Sequence, residues 1–335
     1  MASKYRFSLD RSSKKYICPA CNHKRFVRYL DSQTDELLPQ HFGRCDREAK
    51  CGYHSKPRQQ TKLKRIKKDA FFSFQNSPID VFIPNEVLAK TFKNYDRNVF
   101  VKNLFHRLEY PFPGKFVKEV IHLYQLGTIS NGYRKGAITF PYIDRKGNVR
   151  TIQVSLFDEE NHRKKNDFLH SILEKYYDRN SKPKPGWLKM YLKNDKKVSC
   201  LFGEHLLDKY PSHTVCLVEA PKTAIIASLY FGLPCESNLL WLAVYNLSSL
   251  NYNKCKVLEH RRVVLFPDLS EDGKSFKLWK NKADELQIKI PSTTFEVSNL
   301  LEQLATEESK KNGEDIADFL IKLDWRNFRK SELET

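Results

Sequence analysis

The apolar positions of this 335-residue chain change rhythm along its length. Phe116, Val117, Val120, Ile121 and Tyr124 recur at spacings of three and four after Pro113-Gly114, which predicts an amphipathic helix. Ala137–Ile143 and Val149–Phe157 read as strands flanking Asp144-Arg145-Lys146-Gly147-Asn148, a hairpin pattern. Residues 158–187 are polar and charged, with Lys-Pro-Lys-Pro-Gly at 182–186, and read as a long surface loop. Beyond residue 200 come short, continuously apolar runs: Thr214–Val218, Leu239–Val244, Arg262–Phe266 and a weaker Thr293–Val297. Runs of this kind are buried on both faces of a parallel sheet. Helical stretches separate them, at Lys222–Phe231, near 275–287 and near 314–323. Strand and helix in alternation predict an α/β parallel sheet for residues 201–335, preceded by an α+β middle region over 70–200.

Hydrophobic residues make up 40% of the chain and aromatics 13%, enough for most of it to fold. No apolar run approaches the roughly 20 residues of a membrane span. The opening MASKYRFSLDRSSKKY lacks the apolar segment of a signal peptide. The expectation is a cytoplasmic protein with no membrane partner, in which eight cysteines are metal ligands or buried thiols rather than disulfides.

Charge is unevenly placed. Residues 1–68 carry 18 Lys and Arg against 6 Asp and Glu, a net +12 of the chain's +18. Such a concentration favours a polyanionic partner, because each phosphate neutralised releases a counterion. The segment 57–69 is polar and basic without helical periodicity and reads as a flexible linker.

The 1–56 region holds Cys18-Pro-Ala-Cys21 and Cys45-Asp-Arg-Glu-Ala-Lys-Cys51. The first spacing is that of a zinc knuckle. The second is longer than usual, and Gly43 and Gly52 flank it. The residues between the pairs suit a hairpin, with Phe26–Leu30 on one strand and His41-Phe42 on the other. This is a small zinc ribbon, which needs its metal to be ordered. His54, His23 or His41 is an alternative fourth ligand in place of Cys51. Arg25, Arg28, Arg44 and Arg47 are interleaved with Phe26, Tyr29, Phe42 and Tyr53, a pattern suited to single-stranded nucleic acid, although some of these rings must form the ribbon's own core.

Two carboxylates stand just past predicted parallel strands: Glu219 after Thr214–Val218, and Asp268 after Arg262–Phe266. Ligands bind outside such strand ends, and two carboxylates there can hold Mg²⁺ against phosphate oxygens. Asp272 is a candidate third ligand, and Asp315 and Asp318 are further ones. The alternative for any of these is a helix cap. Lys222, at a helix start, is placed to meet phosphate.

These residues carry a resemblance. Val215-Cys-Leu-Val-Glu219-Ala-Pro-Lys-Thr-Ala resembles the first motif of the Toprim domain of bacterial-type primases and topoisomerases. Arg262-Val-Val-Leu-Phe-Pro-Asp268 with Asp272-Gly273 resembles the second, with Ser270 where the pattern has another Asp. Gly313-Glu-Asp315-Ile-Ala-Asp318-Phe-Leu is similar to the acidic segment closing phage and plasmid Toprim primases. A zinc ribbon ahead of such a domain is the order of bacterial DNA primases, and the chain looks like the primase-like proteins of bacterial mobile genetic elements. The resemblance implies a Toprim-like sheet, with Glu219, Asp268 and Asp272 holding Mg²⁺ or Mn²⁺ for primer synthesis on single-stranded DNA. It also implies nucleoside triphosphates as substrates and a replicative helicase as partner. Two alternatives stand beside it: a non-catalytic single-strand-binding protein with a degenerate Toprim domain, and a Toprim nuclease.

Overall fold

The computed structural model describes residues 6–12, 14–47, 50–57, 81–194, 200–246 and 249–329. The linker expected over 57–69 lies, apart from Pro57, outside the described residues. The chain divides into two compact units, residues 1–75 and 76–335.

The first unit is an antiparallel sheet. Its strands are β1 (Phe7–Leu9), β2 (Tyr16–Ile17), β3 (Lys24–Asp31), β4 (Gly43–Cys45) and β5 (His54–Ser55). β1, β2 and β4 all pair with the long β3, and β5 pairs with β4. The hairpin's second strand is therefore Gly43–Cys45, one step beyond the expected His41-Phe42. Sterics explain the shift. A Cβ at position 43 would collide with the Phe26 ring and the Val27 carbonyl, so only glycine lets the two strands close here. Phe26 then packs, fully buried, with Cys18 and Cys45.

The second unit opens with α1 (Asn85–Ala89), α2 (Val99–Lys102), a π-helical turn over Asn103–Arg107, and α3 (Gly114–Leu123). Phe116, Val117 and Val120 are the buried face of α3, as their spacing predicts. An antiparallel sheet follows in the order β6 (Gly127–Thr128), β7 (Ile138–Ile143), β8 (Val149–Phe157) and β9 (Arg163–Phe168). The expected hairpin is β7–β8.

The surface loop expected over 158–187 is corrected. It contains β9, all of α4 (Leu169–Arg179) and the start of α5 (Gly186–Lys193). β9 is an edge strand whose residues from Arg163 to Asn166 are exposed, so it shows no apolar alternation. Edge strands rich in Lys are protected from pairing with other chains, which is why this one reads as loop.

The parallel sheet comprises β10 (Thr214–Val218), β11 (Leu239–Ala243), β12 (Arg262–Leu265) and β13 (Thr294–Val297), with α6 (Pro221–Phe231), α7 (Tyr252–Cys255) and α8 (Lys274–Lys289) between them. Three short helices close the chain: α9 (Leu300–Leu304), α10 (Glu307–Asn312) and α11 (Ile316–Leu320). The strand order is β11-β10-β12-β13, all parallel. From β10 the chain steps to one side, and from β11 it crosses to the other. The switch therefore lies between β10 and β12, where a crevice opens at the carboxyl ends. Among the described residues no helix is long and apolar enough to cross a membrane.

The two sheets share a core centred on Phe202. Its backbone pairs with Ala243 of β11, and its ring stacks on Tyr124 at 5.2 Å and meets Phe140 and Tyr142 edge-on. The Tyr124 hydroxyl donates to the Trp241 carbonyl at 2.8 Å, which fixes α3 to β11. Phe202→Ala is expected to cost about 3–5 kcal/mol, read as a lower urea midpoint at unchanged slope.

Glu204 follows Phe202 and is 4% exposed. Burial raises its carboxyl from 4.5 to about 6, against backbone hydrogen bonds from Leu201 and Arg145 that favour the charge. The raised value means stability that is full below pH 4.5 and is lost as pH rises through about 6. Across that window the loss is about 2 kcal/mol. Glu204→Gln is expected to flatten this decline in urea titrations run from pH 4 to 8.

Candidate functional site

The first site is built by two turns of the ribbon. Asn22 N–H donates to the Cys18 carbonyl at 3.0 Å, and Asn22 adopts a left-handed φ of 53°, so Cys18 and Cys21 turn toward one point. On the second turn Cys51 N–H donates to the Arg47 carbonyl at 2.7 Å, and Gly52 has φ 62°. The long Cys45–Cys51 spacing still closes on one point. Cys18 and Cys51 Sγ atoms are 3.6 Å apart, those of Cys21 and Cys45 3.9 Å, and all four lie within 4.8 Å of one another. Tetrahedral zinc with arms of about 2.3 Å requires sulfur–sulfur edges of about 3.8 Å. The four thiols fit zinc, and zinc would hold them as thiolates. A hydrogen bond from the His23 backbone draws the Cys21 thiol down to about 6, while burial pushes Cys45 up to about 12. Two of the three alternative histidines have other partners, His23 Nδ1 with the Cys21 carbonyl at 2.6 Å and His54 Nε2 with the Tyr29 hydroxyl at 3.0 Å, and the His41 ring lies against Phe42 at 4.0 Å.

The basic coat splits by role. Arg25 is exposed on β3. Arg28 donates to the Leu38 carbonyl and lies over the Tyr16 ring at 5.2 Å, so it braces the ribbon. Arg44 and Arg47 are half-buried. Phe26 belongs to the metal core and Tyr53 packs on it at 5.7 Å, so neither ring is a platform for a base.

The second site lies at the switch point of the parallel sheet. A small pocket of about 200 Å³ is lined by Glu219, Lys222, Asp268 and Asp315 on one side. Gln153, Ser155 and Arg163 of the antiparallel sheet line the other. Glu219 leaves β10 just before Pro221 starts α6, and Asp268 follows β12. Lys222 Nζ reaches Asp318 at 3.0 Å and Asp315 at 3.8 Å, with its side chain 17% exposed. Burial opposes the Lys222 charge, but Asp315, Asp318 and Asp268 outweigh it and hold the pKa above the ordinary lysine value. Asp268 is the group out of balance. Burial, then Glu219, Asp315 and Asp318, push its carboxyl well above the usual range, and Lys222 only partly offsets them.

The other carboxylates have separate duties. Asp315 and Asp318 form a capping box at the start of α11, with backbone-to-carboxylate bonds of 3.1 and 3.0 Å. Thr223 Oγ1 also donates to Asp315, at 2.6 Å. Ser270 is buried and accepts from Ser275 N–H at 2.9 Å, tying down the start of α8. Asp272 is not brought to the cluster. Its half-exposed side chain pairs with Lys274 and accepts from that residue's backbone. Among the described residues only the four cysteines form a group of three or more metal-type side chains close enough to share one ion.

Gln153, Ser155 and Arg163 went unnoticed in the sequence. Gln153 and Ser155 are buried polar residues, two apart on the same face of β8 as the buried Thr151, and that polar stripe is a readable signal. Both bond to Asn166, at 2.9 and 3.0 Å. Arg163 and Asn166 fell in the stretch read as loop.

The chain matches two families. One, described as a domain of unknown function (DUF6371), covers residues 98–269. The other, a zinc beta-ribbon finger, covers residues 5–66. No curated protein matches the chain. Among solved structures it is similar to the primase fragment of the bacteriophage T7 primase-helicase protein, with 12% identity, a TM-score of 0.36, and coverage of 85% of this chain and 88% of that one. It is also similar to the zinc-binding and RNA polymerase domains of the Aquifex aeolicus primase, with 12% identity, a TM-score of 0.38, and coverage of 96% and 79%.

Proposed function

We propose that this chain, which belongs to the DUF6371 family of domains of unknown function, is a primase-like protein that holds single-stranded DNA and makes short primers on it by metal-assisted phosphoryl transfer. In this reading residues 201–335 are a Toprim-like domain and 70–200 a primase-core-like region. The observation that carries it is the unbalanced acid pair, Glu219 and Asp268, straddling the switch point of a parallel sheet with Lys222 and Arg163 beside it. Hard oxygen donors suit Mg²⁺ or Mn²⁺, and Mg²⁺ is commonly held by one or two carboxylates plus substrate phosphates. Glu219 and Asp268 would be those carboxylates, and the ion supplies charge neutralisation when bound.

The chain's own groups divide the remaining work. Lys222 and Arg163 meet the triphosphate of the incoming nucleotide, and Lys222 exchanges Asp318 for a phosphate oxygen as it does so. Burial and the neighbouring acids disfavour the Asp268 charge, and positive charge brought into the pocket would favour it. Reaction is then driven by positioning and charge rather than by a covalent intermediate. The ribbon adds grip through Arg25, Arg44 and Arg47, and a replicative helicase is the expected partner in a mobile genetic element.

A second reading rests on Lys222 and Asp272. Lys222 already occupies the acid cluster, and Asp272 stands apart from it. A site neutralised in this way suits a non-catalytic binding module. Primer synthesis on single-stranded DNA with Mg²⁺ or Mn²⁺ separates the two. Product from the wild type and none from Glu219→Gln supports the primase. Strand binding without product under either metal sinks it, and a cleaved template points to a nuclease.

A further inference from the structure

A groove of about 1260 Å³ runs between α3 and the segment from Phe92 to Arg107, and shares no lining residue with the acidic pocket. Its floor is apolar, with Phe92, Tyr95, Phe105, Ile121 and Leu126. Phe92 is 40% exposed, unusual for a ring next to an available core. The Tyr95 hydroxyl already donates to the Leu126 carbonyl at 2.8 Å, so what Tyr95 offers the groove is its ring. Lys118, Ile121 and His122 follow the groove side of α3 at spacings of three and four, and Gln125 lies just past its end, while Phe116, Val117, Val120 and Tyr124 are buried. The π-helical turn contributes Phe105 and Arg107, and such turns recur at functional sites.

The rim is basic. Lys102, Arg107 and Lys118 stand there against a single acid, Asp96. Arg107 pairs with Glu159 at 2.8 Å, and Asp96 with Arg97 at 3.9 Å. Lys102 and Lys118 are exposed and have no carboxylate partner among the described residues.

We propose that this groove docks an acidic amphipathic helix of a protein partner, with large apolar side chains on the floor and carboxylates on Lys102 and Lys118. Apolar anchors at helical spacing fill such grooves, and rim charge selects the partner's sign. Nucleobases fit the floor less well, because Ile121 and Leu126 would leave their donors and acceptors unpaired. A second copy of this chain carries a net +18, and its own segment 56–68 has seven Lys and Arg and no acid, which is the wrong sign for this rim.

The test uses the full chain and a fluorescein-labelled peptide of about eleven residues, long enough for three helical turns. Leu is placed at spacings of three and four, and Glu elsewhere. Controls are a peptide of the same composition with the Leu spacing broken, a Lys-for-Glu peptide, and oligo(dT). Of the three peptides only the acidic amphipathic one is expected to bind, and oligo(dT), held elsewhere on the chain, should neither compete with it nor respond to the groove variants. Lys102→Glu with Lys118→Glu, and separately Phe92→Ser, should each weaken it by about tenfold or more. These side chains are exposed, so circular dichroism and melting temperature should not change. Equal binding of the reordered peptide, or no effect of either variant, overturns the proposal. Oligo(dT) binding lost in Phe92→Ser assigns the groove to nucleic acid, and self-association lost in Phe92→Ser assigns it to a second copy; either outcome also overturns it. None of these readouts depends on primer synthesis, so this proposal and the primase reading stand or fall separately.

Discussion

Asp268→Asn is expected to abolish primer synthesis and to make the metal-free protein more stable. The activity loss should be about 10³-fold or more, the scale seen when a group that manages charge in phosphoryl transfer is removed. The stability gain follows from the cluster. Burial, Glu219, Asp315 and Asp318 hold the Asp268 carboxyl well above its ordinary range. A carboxyl raised in the folded state contributes stability below the unfolded value, and that contribution is lost as pH rises through the raised value. Above the unfolded value the buried carboxyl is therefore a liability, and asparagine removes it at nearly constant shape. A rise of a few degrees in melting temperature is expected at pH 8, shrinking toward pH 4. Mg²⁺ or Mn²⁺ should stabilise the wild type and leave Asp268→Asn unmoved. Asp272→Asn serves as contrast, because its carboxylate pairs with Lys274 at the surface, and it should keep activity within about threefold. Full activity in Asp268→Asn, or an equal metal response in both proteins, would remove Asp268 from the reaction.

Cys51→Ser should release the zinc and unfold residues 6–57 while leaving the second unit intact. Structural zinc in small domains contributes about 10–16 kcal/mol, more than a sheet of this size can replace. The fully buried residues around the metal are Cys18, Phe26 and Cys45, too few for a core that stands without it. Metal analysis should fall from one zinc per chain to none, and limited proteolysis should cut within the ribbon. Unchanged zinc in Cys51→Ser would assign the fourth ligand to a histidine. His54→Ala should keep the metal, because its ring contacts Tyr29 rather than the thiol cluster.

The ribbon and the parallel sheet were legible because both are written in local pattern. Cysteine spacing reports a metal turn directly, and a strand buried on both faces is a continuous apolar run such as Thr214–Val218. Glu219 and Asp268 were legible for the same reason, since each directly follows such a run. The charged edge strand Arg163–Phe168 was not, because a strand exposed at an edge carries no apolar alternation. Nor was the fate of the other acids. Asp315 and Asp318 close a helix cap on each other, and Asp272 pairs with Lys274 two residues away. A carboxylate reads the same in sequence whether it caps, pairs or binds.

By itself, the sequence determined the four thiols, the basic arm, and two carboxylates at parallel strand ends. Tertiary structure decided which groups share a pocket. It brought Lys222 onto acids 93 and 96 residues away, and set Gln153, Ser155 and Arg163 opposite Glu219. Those contacts arise where separate elements pack, and no periodicity within one segment encodes a distance to another. For the ribbon it brought Cys51 Sγ to within 3.6 Å of Cys18 Sγ, so that all four thiols gather at one point.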